Sequence, residues 1–188
     1  MHWFEQDITY LRSTVHELED YLLSDILFWP IRAKGRKQLV GVTQLTIGNL
    51  LLSLKRLKTV ESIDGAVTEE FISLTAEIEK IRLQWKSNWD NKVIEELRSR
   101  LKQWDHYLSE IQSAEISQSD YAYNIRQRVI LALLIACPDR LIPLEQANLD
   151  TLDERLKKTT HPSSFVWDAD LQSGFPEDGY WFLYRTPA

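Results

Sequence analysis

The sequence predicts an all-α protein: a bundle of about five helices, one long and central, closed by an aromatic C-terminal arm or short hairpin. Two observations carry this. Val67, Phe71, Leu74, Ile78, Ile81 and Trp85 recur in steps of four and three, as do Val93, Leu97, Leu101, Trp104, Leu108 and Ile111. That spacing holds one apolar stripe on one side of a helix, with Glu, Lys and Arg filling the back. After Thr160 the composition changes abruptly to aromatic residues, Pro and Gly. The expected organisation is a helical domain over 1–160 and a docked arm over 161–188.

The first helix is expected over Trp3–Phe28, with Phe4, Ile8, Leu11, Val15, Leu18, Leu22 and Ile26 inward. Trp29-Pro30 ends it, because the residue before proline disfavours helical geometry. Pro30 to Lys37 reads as a basic loop around Gly35. A Leu-rich second helix follows over Val42–Lys58, starting near Val42 or Thr43. Gly48 inside it, where glycine costs about 1 kcal/mol against alanine, suggests a close approach by another backbone.

The central stretch begins after the Asp64-Gly65 turn, with Thr68 as N-cap. Its two stripes are out of phase by roughly 120° between Trp85 and Leu97. Ser87-Asn88-Trp89-Asp90-Asn91, a run of weak helix formers, lies between them. No Gly or Pro breaks the run, so one helix of about 68 Å, bent or changing partners, is expected. Ser113–Asp120 reads as a loop. Asp120 then caps a helix over Tyr121–Ala136, and a last helix runs over Leu144–Lys158. Phe165-Val166-Trp167 and Tyr180–Tyr184 are candidate strands of a hairpin, or parts of an extended arm.

Composition bounds the function. The 188 residues are 44% apolar and 27% charged, ordinary for a globular protein with a real core. Seven Trp and seven Tyr point to a large aromatic share of core or interface. The single Cys137 lies in an apolar run and reads as an inert buried thiol. Together with an N-terminus lacking basic and apolar targeting segments, and no stretch suited to a membrane span, it points to a cytoplasmic protein.

The charge is uneven. From Ile26 to Val60 there are seven cations and no acid, so the remainder carries −13 against a total of −6. Trp29, Arg32, Lys34, Arg36 and Lys37 form a candidate contact site, with a ring suited to stacking beside phosphate-binding cations. Trp167, Trp181 and Tyr184 in the arm form a second candidate surface, since aromatics concentrate interface energy.

Catalytic signatures are missing. No Gly-x-Ser-x-Gly, phosphate loop or dinucleotide fingerprint occurs, and no zinc motif is available to one cysteine. His16 with Asp20, and His106 with Glu110, share helix faces, but no Glu-x-x-His pattern indicates a carboxylate-bridged metal. No catalytic residue, metal ligand or cofactor is assigned. The expected function is a non-enzymatic interaction or scaffold protein, a homodimer or one bound to another protein. The alternatives are a nucleic-acid-associated protein using the 30–37 loop, and a small-ligand or metal-binding helical enzyme.

Overall fold

In a computed structural model the protein is all-α. Residues 2–31, 44–60, 65–111, 117–137 and 142–187 are described. In place of about five helices they form eight: α1 (His2–Leu23), α2 (Ile47–Thr59), α3 (Gly65–Gln84), α4 (Lys86–Ile111), α5 (Gln118–Asn124), α6 (Arg126–Ile135), α7 (Pro143–Lys158) and α8 (Glu177–Tyr180). Strands are only two or three residues long: β1 (Trp29–Pro30) pairs antiparallel with β2 (Gln44–Leu45), and β3 (Thr160–Pro162) with β4 (Arg185–Pro187). The chain forms two compact units, 1–96 and 97–188.

In the first unit α1 lies against α2 and α3. Ile8, Leu11, Leu18 and Leu22 from α1, Leu50 and Leu57 from α2, and Ile78 from α3 are buried, as their spacing requires. α1 ends at Leu23, five residues before the expected boundary. Ser24 turns the chain: its hydroxyl donates to Tyr21 O (2.9 Å) and accepts from the Ile26 amide (3.2 Å). Such local side-chain bonds compete with helix continuation. Ile26, expected inward, is exposed as a result. α2 begins later than predicted, where Thr46 accepts from the Asn49 amide (3.1 Å).

The central stretch is helical at every position from 67 to 111 except Trp85. Backbone hydrogen bonds still cross it, Trp85 N to Ile81 O (3.0 Å) and Trp89 N to Trp85 O (2.9 Å). The interruption precedes the weak formers, which make up the first turns of α4. α3 starts at Gly65, so Thr68 lies inside the helix rather than capping it. The buried stripe of α4 begins at Trp89, earlier than the expected Val93.

In the second unit Leu101, Trp104, Leu108, Val129, Leu134, Leu149, Leu152 and Leu156 are buried. The helix expected to start after Asp120 starts at Gln118. Ser117 caps it, accepting from the Asp120 amide (3.1 Å) and donating to the Asp120 carboxylate (2.6 Å). This is the N-cap half of a capping box; the Asp120 carboxylate takes the Ser117 hydroxyl instead of its backbone amide. Ile125 divides the predicted single helix into α5 and α6. Cys137 follows the end of α6 and is half-buried rather than enclosed.

The hairpin strands sit outside the predicted aromatic segments. Trp181–Tyr184 is a 3-10 turn, because Phe182 and Leu183 are both buried and adjacent. A strand would turn consecutive side chains to opposite faces. Pairing falls instead to Thr160–Pro162 and Arg185–Pro187.

Candidate functional site

The arm is built from interlocked rings whose polar atoms reach backbone carbonyls. Trp167 Nε1 donates to Ala122 O (2.8 Å), and its ring meets Phe175 edge-on at 5.4 Å. Tyr184 donates to Phe175 O (3.0 Å) and tilts against Phe165 at 5.3 Å. Phe175, Tyr180 and Phe182 link these rings at 5.0 and 5.9 Å. Tyr121 donates to Phe182 O (2.8 Å) from a buried position. Burial pushes the Tyr121 and Tyr180 phenols above their ordinary range, since a phenolate there would lose its water.

Trp181 is half-buried, with Lys157 Nζ at 5.2 Å and the Arg185 guanidinium at 5.7 Å from its ring centre. Arg185 also donates to Thr160 Oγ1 (2.7 Å), Lys157 O (3.1 Å) and Thr160 O (2.5 Å). It therefore satisfies carbonyls at the end of α7, where a cation is favoured by the helix dipole. Trp167, Trp181 and Tyr184 thus belong to one aromatic cluster, and Lys157 and Arg185 join it.

Trp29, in the first unit, is half-buried and donates from Nε1 to Glu17 Oε2 (2.6 Å). Arg32, Lys34, Arg36 and Lys37 lie outside the described residues. Of the other cations in the acid-free span, Arg56 is drawn inward to Asp7 (3.2 Å) and lies 4.8 Å above the Trp3 ring. Burial, then repulsion from Lys58, lowers the pKa of Lys55.

Several charged residues that looked like solvated positions are buried. Asp7 accepts from Ser53 (3.0 Å) as well as meeting Arg56. Lys92 donates to Ser24 O (2.7 Å) and Ile26 O (2.8 Å) beside the Tyr21 ring, and burial lowers its pKa. Glu96 is 0% exposed and accepts from the Gly48 amide (2.9 Å) in the first turn of α2. What meets the backbone at position 48 is thus a carboxylate of α4. Arg128 makes a bidentate pair with Asp153 (2.6 and 2.7 Å) and lies 4.3 Å from the Phe182 ring centre. Glu145 accepts from Arg98 (2.7 Å). The legible signal was position: Lys92, Glu96 and Arg100 each directly precede a stripe residue and so share the edge of the buried face.

The described residues line a cleft in each unit. One of about 240 Å³ lies between the end of α1 and the start of α4, lined by Ser24, Asp25, Asn88, Asn91, Lys92 and Glu95. Lys92 and Asn88 are engaged there with carbonyls that follow or end α1. The other, about 350 Å³, runs between α4 and α7 and includes the Arg155–Asp105 ion pair. His106 pairs with Glu110 (3.4 Å) on the surface, and His16 is exposed. Among the described residues no three His, Cys, Asp or Glu side chains gather as a metal site, and no helix is long and apolar enough to cross a membrane.

Among the described residues, six large apolar side chains are exposed. Ile72 and Leu83 on α3 are 62% and 60% exposed, and Leu23, Ile26, Tyr123 and Leu144 are exposed elsewhere. No protein-family model, curated protein or solved structure matches the chain.

Proposed function

We propose that the chain is a non-enzymatic interaction protein that self-associates through helix faces, with the aromatic arm as a second contact surface. The observation that carries this is the pair Ile72 and Leu83, large apolar side chains left open on a regular helix. Removing such area from water contributes roughly 25 cal/mol per Å². The buried charges support the same reading: Asp7, Lys92, Glu96, Arg128 and Asp153 all hold helix ends or neighbouring side chains. Groups so engaged are structural in character. Trp181, half-exposed and flanked by Lys157 and Arg185, suits an acidic or aromatic contact.

Sedimentation velocity over a wide concentration range tests this. A sedimentation coefficient rising with concentration is expected; a constant monomer value would remove self-association. A second reading, contact with nucleic acid through the 30–37 loop, is favoured by seven cations without an acid from Ile26 to Val60. It requires salt-sensitive binding, so fluorescence anisotropy with labelled DNA and RNA at low salt decides it.

A further inference from the structure

We propose that the cleft between α4 and α7 binds a small organic acid, a single carboxylate carrying a short apolar chain. The site is independent of self-association. Arg98 pairs with Glu145 (2.7 Å), and further along both helices Arg155 pairs with Asp105 and donates to Ser109 (3.0 Å). α4 and α7 therefore run in the same direction, tied at two points along one groove. Arg98, Lys102 and Asp105 recur on α4 in steps of four and three. Glu145, Asn148, Thr151 and Arg155 recur on α7 in steps of three, three and four. Such spacing keeps each set on one helix face. Between the two ties the groove opens into the cleft of about 350 Å³.

This ladder of cross-helix pairs lacks one acid. Lys102 stands between the two ties and makes no ion pair or hydrogen bond with the described residues. The α7 side chains that line the cleft with it, Asn148 and Thr151, are neutral. The lining sets Lys102 and Arg155 against Asp105 alone, a net charge of +1. The neighbouring acids of α7 are engaged elsewhere: Asp150 by Gln146 (2.8 Å), Asp153 by Arg128 (2.6 Å) and Glu154 by Lys157 (2.8 Å). Thr151 gives its hydroxyl proton to Ala147 O (3.0 Å), so the donors left to a ligand are the Lys102 ammonium and the Asn148 amide. Leu101 and Leu152, each 7% exposed, supply an apolar floor. Ligand sites commonly combine such a floor with a few polar groups that fix orientation. A carboxylate seated between Lys102 and Asn148 accepts from both, cancels the excess charge and leaves its chain on the two leucines. Both donors are exposed, so the affinity is low, about millimolar.

The test is two-dimensional amide NMR of the full chain titrated with hexanoate, acetate and hexylammonium. Hexanoate is expected to shift the amides of 101–105 and 148–155 saturably, and hexylammonium to leave them in place. Acetate stands for the bare carboxylate of an acidic side chain on a protein. It has nothing to lay on the leucines and should bind at least about fivefold more weakly. Lys102→Gln, at an exposed position, should weaken hexanoate binding about fivefold. Asn148→Asp supplies the missing acid from α7 itself and should abolish hexanoate binding while the rest of the spectrum is kept. No saturable shift with hexanoate up to about 20 mM would overturn the site. So would undiminished binding by Lys102→Gln or by Asn148→Asp, or equal binding of hexylammonium. Acetate binding as tightly as hexanoate would overturn the small-acid occupant in favour of an acidic side chain.

Discussion

At the scale of single residues, buried charge decides where the protein is vulnerable. Arg128 and Asp153 lie 25 positions apart and meet in a buried bidentate pair. Removing one partner leaves the other charged and dry. Arg128→Met should therefore cost about 3–5 kcal/mol, read from the urea unfolding midpoint near neutral pH. Replacing both, Arg128→Met with Asp153→Leu, should recover most of that loss; no recovery would show that the guanidinium acts mainly through Phe182. Tyr107, half-buried and stacked on Trp104 at 5.2 Å, supplies a pH dependence. Burial holds its phenol up to about 12. Its ordinary value is near 10, so the unfolded chain releases this proton first as pH rises. The folded state's advantage is intact below pH 10 and declines between about 10 and 12. Unfolding midpoints measured across that range should fall, and Tyr107→Phe should make the fall shallower. None of these pairings was legible beforehand, since composition and period do not say which two distant residues meet.

Helices were legible as periodic runs, while their ends were set by side chains that periodicity does not see. Ser24, Thr46 and Ser117 mark three boundaries by bonding to nearby backbone. Thr46→Ala should destabilise α2 by about 1 kcal/mol, measured as a shift in the denaturation midpoint. A larger role belongs to Lys92, which satisfies two carbonyls just past α1 from within α4. Lys92→Met keeps the apolar stem but leaves both carbonyls without that donor. A loss of about 2–3 kcal/mol is expected, with faster amide exchange around the α1 terminus; unchanged exchange there would remove Lys92 from the cap. The phase shift between the two central stripes was visible in the sequence, and its location was not. Trp85 takes the interruption, its indole donating to Glu19 on α1 (3.2 Å), while Trp89 starts the buried face of α4.

At the scale of the molecule, the all-α class followed directly from the recurrence of Leu, Ile and Trp at helical spacing. The candidate contact residues were less legible. Trp167, Trp181 and Tyr184 meet in one cluster, but Lys157 and Arg185, which flank Trp181, carry no local pattern that marks them. The polar back assigned to the central stretch also concealed Ile72 and Leu83, because a dominant inward stripe masks a second, shorter one. If that second line is a contact surface, assembly depends on concentration and survives loss of the aromatic patch. Trp181→Ala should then lower stability without abolishing self-association, checked by parallel melting and sedimentation measurements. Light-scattering mass of the unaltered 22.1 kDa chain over a dilution series bears most directly on the central claim. A mass rising from that of one chain toward that of two as concentration increases is the predicted result; a mass of one chain at every concentration would contradict it.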